Sequence, residues 1–330
     1  MKRKEEFIFK IVGAMSTAII FSLFIWAVFA FYQLTSLRFF DPEYLGPHWG
    51  EWGIQPPLEL IAGISILSAI IIFILFFRTE MGKPTGGKIN ISDVFDRHKE
   101  VFKAIRNGQY SLKQVLLLIA IISFLSTCFG ILNNHIYTQA KYGFIKEIVG
   151  DYYEGMTIAG DYELEENLAI KIVPTSFSEF LPSSLNVLLI IVLAVIGGIV
   201  VSFTLPFLIY WLLRVSKEKI PYLNLYALSI YLSLIPLAFL IVTTIVNVTF
   251  YYILGNVSTV NKEFLPYLGS FLFYISLAYG INDIGEISLK KSFVIISPFI
   301  VLIIFTIYLD YFFIYEMPNR ILEIVCMQLV

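Results

Sequence analysis

Seven long apolar stretches, none with an ionisable side chain in its middle, constrain this chain more than any other feature. They lie at approximately 11–32, 58–77, 114–133, 184–210, 222–253, 264–282 and 292–313. A helix needs roughly 20 apolar residues to cross the hydrocarbon core of a bilayer. Because the runs are continuous rather than alternating, they predict transmembrane helices and not the strands of a barrel. The first run is longer than the roughly 7–15 apolar residues of a signal peptide, so a retained anchor is predicted.

The composition agrees with membrane residence. Of the 330 residues, 58% are hydrophobic and 15% are charged, whereas soluble domains are about 45–50% apolar and about 25% charged. A net charge of −2 without a clustered basic face argues against a nucleic-acid partner. The two cysteines, Cys128 and Cys326, indicate neither a disulfide framework nor a metal site. The sequence therefore predicts an all-α polytopic membrane protein with seven transmembrane helices in a lipid bilayer.

The basic residues predict the orientation of these spans. If the chain crosses the membrane at each stretch, 17 of its 23 Lys and Arg fall on the side of the N-terminus. Lys and Arg accumulate in cytoplasmic loops. The N-terminus is therefore predicted inside and the C-terminal tail outside.

The stretches also suggest a domain organisation. We expect an N-terminal transmembrane hairpin at 1–78, a cytoplasmic linker with an amphipathic interfacial helix at 79–113, a five-helix membrane domain at 114–313 and a tail at 314–330. Within the membrane domain, residues 134–183 predict a small extracytoplasmic α+β insert. It would have an amphipathic lead-in, glycine-bounded turns around 150–160 and a strand at 168–173. Its carboxylates lack the loop pattern of an EF-hand, which favours a solvated acidic surface over a Ca²⁺ site.

The segment 78–113, called the basic segment below, predicts an interfacial helix. It begins with a Gly- and Pro-containing stretch, Met81 to Gly87, expected to be flexible. Ser92 is a suitable N-cap and Gly108 a suitable C-terminal stop. The apolar face of this helix is formed by Val94, His98, Val101 and Ile105, with Phe95 and Phe102 beside them. The basic side chains on the remainder are Arg97, Lys99, Lys103 and Arg106. They are candidates for contact with the anionic inner leaflet. The alternative is that the helix packs on the protein's own spans, and the two are compatible.

The polar groups inside the spans are uncharged. The candidates for helix packing or for a polar path are Pro206, Pro236, Thr243, Thr244 and Asn247. Hydrogen bonding between helices, and relief of the carbonyl freed by Pro236, are the simplest interpretation. Gly197 and Gly198 are expected to allow close backbone approach, and Pro206 to kink the fourth span. Ion-coupled transport normally requires an ionisable group at membrane depth, and none is present there. No catalytic motif, cofactor site or metal site is predicted.

Two parts of the sequence resemble the Yip1 domain, a five-span membrane module. Residues 218–240 form a Tyr- and Ser-bearing helix that runs into Pro236, and residues 268–304 form a span that leaves through a short polar turn ending in Lys290 and Lys291. The resemblance covers about 95–313, and it implies a module that starts inside and ends outside, preceded by a basic cytoplasmic helix. Eukaryotic members bind small GTPases in vesicle traffic, largely with a long cytoplasmic N-terminal region, which is about ten residues here. The insert at 134–183 is similar to that of a related bacterial group of unknown function.

These features favour a non-enzymatic scaffold that organises the membrane or binds a membrane or peripheral protein partner, in a prokaryotic plasma membrane. The alternative is a permease or transporter component for a small uncharged or lipid-like solute. A lipid-modifying enzyme is the least favoured hypothesis.

Overall fold

The computed structural model describes residues 3–36, 58–157, 184–254 and 259–311. Its regular secondary structure in these residues is helical throughout, and they contain no strand. The helices are α1 Arg3–Ser36, α2 Leu58–Phe77, α3 Asp93–Asp96, α4 His98–Arg106, α5 Leu112–Thr157, α6 Ser184–Ser202, α7 Thr204–Val215, α8 Tyr222–Leu232, α9 Leu234–Leu254, α10 Thr259–Gly285 and α11 Leu289–Tyr311.

Six helical stretches in the described part of the chain are long and apolar enough to cross a membrane. They are Lys4–Phe29, Leu60–Phe77, Leu112–Asn133, Ile191–Val215, Tyr222–Phe250 and Leu289–Ile307. These coincide with six of the seven predicted spans, which confirms a multi-pass helical membrane protein. The remaining stretch, 264–282, lies within the 27-residue helix α10. A seventh crossing there stays a prediction.

Two of the spans are interrupted near proline. Phe203 separates α6 from α7, and Ser233 separates α8 from α9. Each interruption lies three residues before a proline, Pro206 or Pro236. The proline ring has no N–H to donate and clashes with the carbonyl four residues earlier, which removes a hydrogen bond from the regular ladder and favours a distortion there. The distortion predicted at Pro206 is therefore found as a break of the helix.

The first of two compact units comprises Met1–Leu118, Ile199–Leu232 and Tyr274–Val330. Its described core is an aromatic cluster from α1, α2, α7 and α8. Phe76 stacks on Phe207 with ring centroids 4.9 Å apart, and Phe9 meets Tyr226 edge-on at 5.4 Å. All residues of α8 are buried. This cluster fixes the ends of α1 and α2 against the helices that carry the polar groups described below.

The second unit comprises Ile119–Gly198 and Ser233–Phe273. Within it, α6 approaches α5 so closely that a Cβ on Gly198 would lie 2.1 Å from Ser123 Oγ. The predicted close approach is thus present at Gly198. A Cβ on Gly197 would meet no atom within 4 Å among the described residues.

The insert differs from its prediction where it is described. Helix α5 continues through Gly150 and Gly155 to Thr157, so the turns predicted around 150–160 are wrong up to that residue. At about 1.5 Å per residue, its 46 residues span about 70 Å, more than a bilayer core requires. The predicted strand at 168–173 and the tail at 314–330 lie outside the described residues.

Candidate functional site

The predicted interfacial helix consists of two helices. Arg97, with φ −134° and ψ 43°, separates α3 from α4. Ser92 directly precedes α3, at the predicted position, but it has helical dihedral angles and its side chain makes no capping bond. The predicted end is confirmed, because Gly108 has φ 68°. The Gln109 N–H donates to Ala104 O at 2.8 Å and the Gly108 N–H to Ile105 O at 3.0 Å, which is the pairing of a Schellman motif.

The apolar face of these helices packs on the protein itself. Val94, Val101, Phe102 and Ile105 are each at most 4% exposed. His98, placed on the same face by the sequence, is exposed, and the break at Arg97 explains why α3 and α4 do not share a single continuous face. Of the two interpretations left open by the sequence, packing on the chain accounts for the buried side of the helices.

The four basic candidates point away from this packing and are exposed. Arg106 pairs with Glu286 at 2.6 Å, and Arg97 lies 3.8 Å from Glu100. Lys99 and Lys103 make no ion pair with a described residue. These two lysines are therefore the cations of α4 that remain free to meet an external anion.

The Gly- and Pro-containing stretch, expected to be flexible, is held by backbone hydrogen bonds. The Thr85 N–H donates to Gly108 O at 2.7 Å, and the Gly86 N–H to Tyr110 O at 3.2 Å. Gln114 Nε2 donates to Ile89 O at 2.6 Å. A Cβ on Gly87 would lie 2.5 Å from Gln109 O, so only glycine fits this crossing. The basic segment is consequently a folded element and not a loose linker.

The start of the basic segment caps the N-terminus of α8. The Tyr222 N–H donates to Glu80 O at 2.9 Å and the Leu223 N–H to Met81 O at 3.0 Å. The first N–H groups of a helix have no partner inside the helix, and the basic segment supplies two of the missing acceptors. A Cβ on Gly82, which has φ 82°, would lie 2.8 Å from Pro221 Cβ. Capping of α8 therefore depends on a glycine at this position.

A buried polar contact joins the end of the basic segment to α8. Tyr110 is 0% exposed, and its hydroxyl donates to Asn224 Oδ1 at 3.0 Å. Asn224 Nδ2 in turn donates to Arg106 O at 3.4 Å. Burial raises the pKa of Tyr110 well above its usual value, which keeps the hydroxyl protonated as a donor.

A second contact, at the surface, joins the start of the segment to α7. Arg214 Nη2 lies 2.6 Å from Glu80 Oε2, and Arg214 Nε donates to Tyr210 Oη at 3.0 Å. The Glu80 backbone N–H donates to the same Tyr210 oxygen at 2.9 Å. The hydrogen bond from Arg214 and its positive charge lower the pKa of Glu80, so this carboxylate remains ionised.

The polar-path candidates of the spans do not all belong to the same unit. Pro206 belongs to the first unit, whereas Pro236, Thr243, Thr244 and Asn247 belong to the second. Thr243 Oγ1 donates to Phe239 O at 2.7 Å and Thr244 Oγ1 to Leu240 O at 2.8 Å. The carbonyl freed by Pro236 is that of Leu232, four residues earlier. The simplest interpretation had it relieved by these polar groups, but the two threonine hydroxyls bond other carbonyls.

Asn247 makes an interhelical bond in the second unit. Its Nδ2 donates to Asn133 Oδ1 at 2.6 Å. Thr243, Thr244 and Asn247 are each at most 1% exposed. Three polar residues of α9 thus lie buried, one of them in a direct side-chain bond to α5.

The residues that anchor the basic segment were not singled out in the sequence. Tyr110, Glu80 and Tyr210 lie 114, 130 and 4 residues from their respective partners Asn224, Tyr210 and Arg214. The available signal is the alternation of Tyr222, Asn224 and Tyr226 with apolar residues at the start of α8. No group of three or more His, Cys, Asp or Glu in the described ranges could hold a metal ion.

The helices and this folded basic segment define a multi-pass membrane protein with an amphipathic element packed at the end of its spans. The Yip1 domain family matches the chain over residues 92–309, which is about two-thirds of its length. The match begins immediately before α3 and ends within α11, and the chain belongs to this family. Neither the curated proteins nor the solved structures contain a match. The resemblance to the Yip1 domain is confirmed, whereas the similarity of the insert to a bacterial group stays a prediction.

Proposed function

We propose that this member of the Yip1 family is a non-enzymatic scaffold that organises the membrane or recruits a protein partner at the inner face of a prokaryotic plasma membrane. The family is one of membrane-organising proteins. The observation that carries the proposal is the folded basic segment, which is bonded to α7 and α8 and has basic side chains exposed on its outer side. A partner would therefore meet an ordered surface and pay little ordering entropy on binding.

Charge supports an anionic partner for this surface. Lys99 and Lys103 lie on the exposed side of α4 without an ion pair to a described residue. Each can contribute about 1 kcal/mol to attraction by an anionic leaflet. An acidic protein surface would be attracted in the same way. The orientation rule for Lys and Arg assigns this surface to the cytoplasm.

The polar groups of α9 support helix packing over a permease. The Thr243 and Thr244 hydroxyls are bonded to carbonyls of their own helix, and Asn247 is bonded to Asn133. A solute path would require these groups to be exposed to a water-filled space, but each is at most 1% exposed. We therefore assign all three residues to the packed interior of the second unit, with Asn247 as an interhelical contact.

Site-specific photocrosslinking tests this proposal. A benzophenone amino acid at Lys99 or Lys103 should give a discrete adduct with protein or anionic lipid when cells expressing the chain are irradiated. Val301, an exposed apolar residue of α11, is the comparison position for unselective acyl-chain contact. Its adducts should include anionic and zwitterionic lipids in their bulk proportions and no discrete protein. A bare monomer with no adduct from Lys99 or Lys103, and with no lipid or protein retained in mild detergent, would refute the proposal.

A further inference from the structure

We propose that a groove at the start of α1 and the end of α2 binds the phosphate group of an anionic phospholipid. The groove has a volume of about 460 Å³ and lies entirely within the first unit. Its walls come from α1, the last residue of α2 and the first residues of the basic segment. The charged side chains that line it are Glu6, Lys10, Arg78, Glu80 and Lys83.

The charges of the groove leave two cations available. Lys10 Nζ lies 3.3 Å from Glu6 Oε1 and donates to Phe77 O at 3.3 Å. Glu80 is paired with Arg214 at 2.6 Å. Both carboxylates are thus neutralised by partners, whereas Arg78 and Lys83 are exposed and form no ion pair with a described residue. An anion that enters the groove would meet these two cations.

Backbone donors lie beside the same cations. The N–H groups of Met81, Gly82 and Lys83 donate to no acceptor among the described residues. Gly82 has φ 82°, in the left-handed region. Successive N–H groups around a left-handed residue can form a concave anion site. Arg adds a planar fork suited to two phosphate oxygens, and Lys adds a compact charge.

The position of the groove favours a lipid over free phosphate. Lys10 lies in the candidate span Lys4–Phe29, and Phe77 is the last residue of the candidate span Leu60–Phe77. The groove therefore lies at the depth of the head groups, where these spans end. Phe7 and Phe77 are 54% and 41% exposed, and their rings are 5.9 Å apart. Their exposed faces would accompany an acyl chain that continues from the bound phosphate into the bilayer.

Native mass spectrometry of the full chain in mild detergent tests this proposal. Wild-type protein titrated with phosphatidylglycerol should retain one lipid more tightly than it retains phosphatidylcholine. R78Q/K83Q should weaken phosphatidylglycerol binding at least about tenfold, because two charge-assisted contacts are lost. K217Q/K290Q removes the same charge at two exposed lysines outside both the groove and the basic segment, and should bind as wild type does. Equal retention of the two lipids, or unchanged binding by R78Q/K83Q, would overturn the proposal.

Two further measurements exclude a purely structural explanation and identify the source of the phosphate. E6Q removes the carboxylate that holds Lys10, so it should tighten phosphatidylglycerol binding; weaker binding would contradict the charge argument. Inorganic phosphate and glycerol phosphate should not displace the lipid at equal concentration. Equal competition by either would overturn the lipid assignment. None of these variants changes Lys99 or Lys103, so this proposal and the scaffold proposal can fail independently.

Discussion

Buried tyrosine hydroxyls connect segments of the first unit that are far apart in sequence. Tyr110 reaches Asn224, and the Tyr222 hydroxyl donates to Phe203 O at 3.0 Å, at the break between α6 and α7. A buried hydroxyl loses its bonds to water on folding, so its protein partner determines whether burial is tolerated. These bonds therefore specify how the basic segment and the broken span fit together.

Removing the Tyr110 hydroxyl is expected to weaken that connection. Y110F retains the ring but leaves Asn224 Oδ1 without its donor, and we expect a loss of about 1–3 kcal/mol in the free energy of unfolding. Denaturant titration in mild detergent would measure it. Y279F, in a tyrosine that is 48% exposed, should stay within about 0.5 kcal/mol of wild type. Equal stability of the two variants would show that the Tyr110 bond does not hold the segment.

The ion pair between Glu80 and Arg214 predicts a pH-dependent stability. Because the pKa of Glu80 is lowered in the folded protein, the pair stabilises fully above the unfolded-state pKa of about 4.3. This contribution is lost as the pH falls through the lower folded-state pKa. In thermal unfolding, the melting temperature of wild type should exceed that of E80Q at about pH 7. This difference in melting temperature should shrink as the pH is lowered.

The control for this pH dependence is Glu100, whose partner Arg97 is 3.8 Å away and 65% exposed. E100Q should differ little from wild type at any pH, since such exposed pairs contribute little. If the gap between wild type and E80Q instead widened as the pH fell, the assigned cause of the lowered Glu80 pKa would be wrong.

At the level of helices, adjacent glycines provide a matched test of packing. A Cβ on Gly198 would lie 2.7 Å from Ser123 Cβ, whereas a Cβ on Gly197 meets no described atom within 4 Å. G198A should therefore force α6 away from α5 and lower the unfolding free energy by about 1–3 kcal/mol. G197A should be neutral or stabilise by up to about 1 kcal/mol, because alanine is the better helix former. Denaturant titration would measure the unfolding free energy of both variants. A loss of equal size in both would assign the effect to the helix backbone and not to the contact between Gly198 and Ser123.

Helices were predictable where local chemistry determines them. The apolar runs located six candidate spans, and Gly108 marked the end of α4 because a left-handed residue is required there. Ser92 precedes α3 without a side-chain capping bond, and the break at Arg97 had no sequence signal. Gly150 and Gly155 suggested turns, yet α5 runs through both, since isolated glycine costs a helix only about 1 kcal/mol relative to alanine.

The contacts that anchor the basic segment could not be predicted from the sequence, for a different reason. Tyr110 and Asn224 are 114 residues apart, and nothing local in either segment specifies the pairing. The basic face of α4 was predictable from helical spacing, but its division into paired and unpaired cations depends on Glu286, which comes from the turn between α10 and α11. Sequence periodicity thus identified the face, and tertiary contacts determine which charges remain available.

For the whole molecule, contacts within the first unit bear on the number of spans. Segments predicted on the inner side touch one another: Arg106 pairs with Glu286, and Lys291 Nζ lies 2.6 Å from Glu218 Oε1. The turn at 286–291 therefore lies beside residues of the turn at 214–221. If Tyr222–Phe250 crosses the membrane once, the chain must cross again before residue 286 to make these contacts. This requirement supports a crossing by the 264–282 stretch of α10.

The number of spans can be tested through the location of the two termini. Seven crossings put the termini on opposite sides of the membrane, and six put them on the same side. In a C128A/C326A background, single cysteines at Lys99 and Lys217 should react with an impermeant maleimide only after the cells are opened. A cysteine at Arg320 should react in intact cells, as should one at Asp161. If Arg320→Cys were protected while Asp161→Cys was labelled, the 264–282 stretch would not cross the membrane. The contacts of Glu218 and Glu286 would then require the Tyr222–Phe250 stretch to return to the side where it began, which a single straight crossing does not allow.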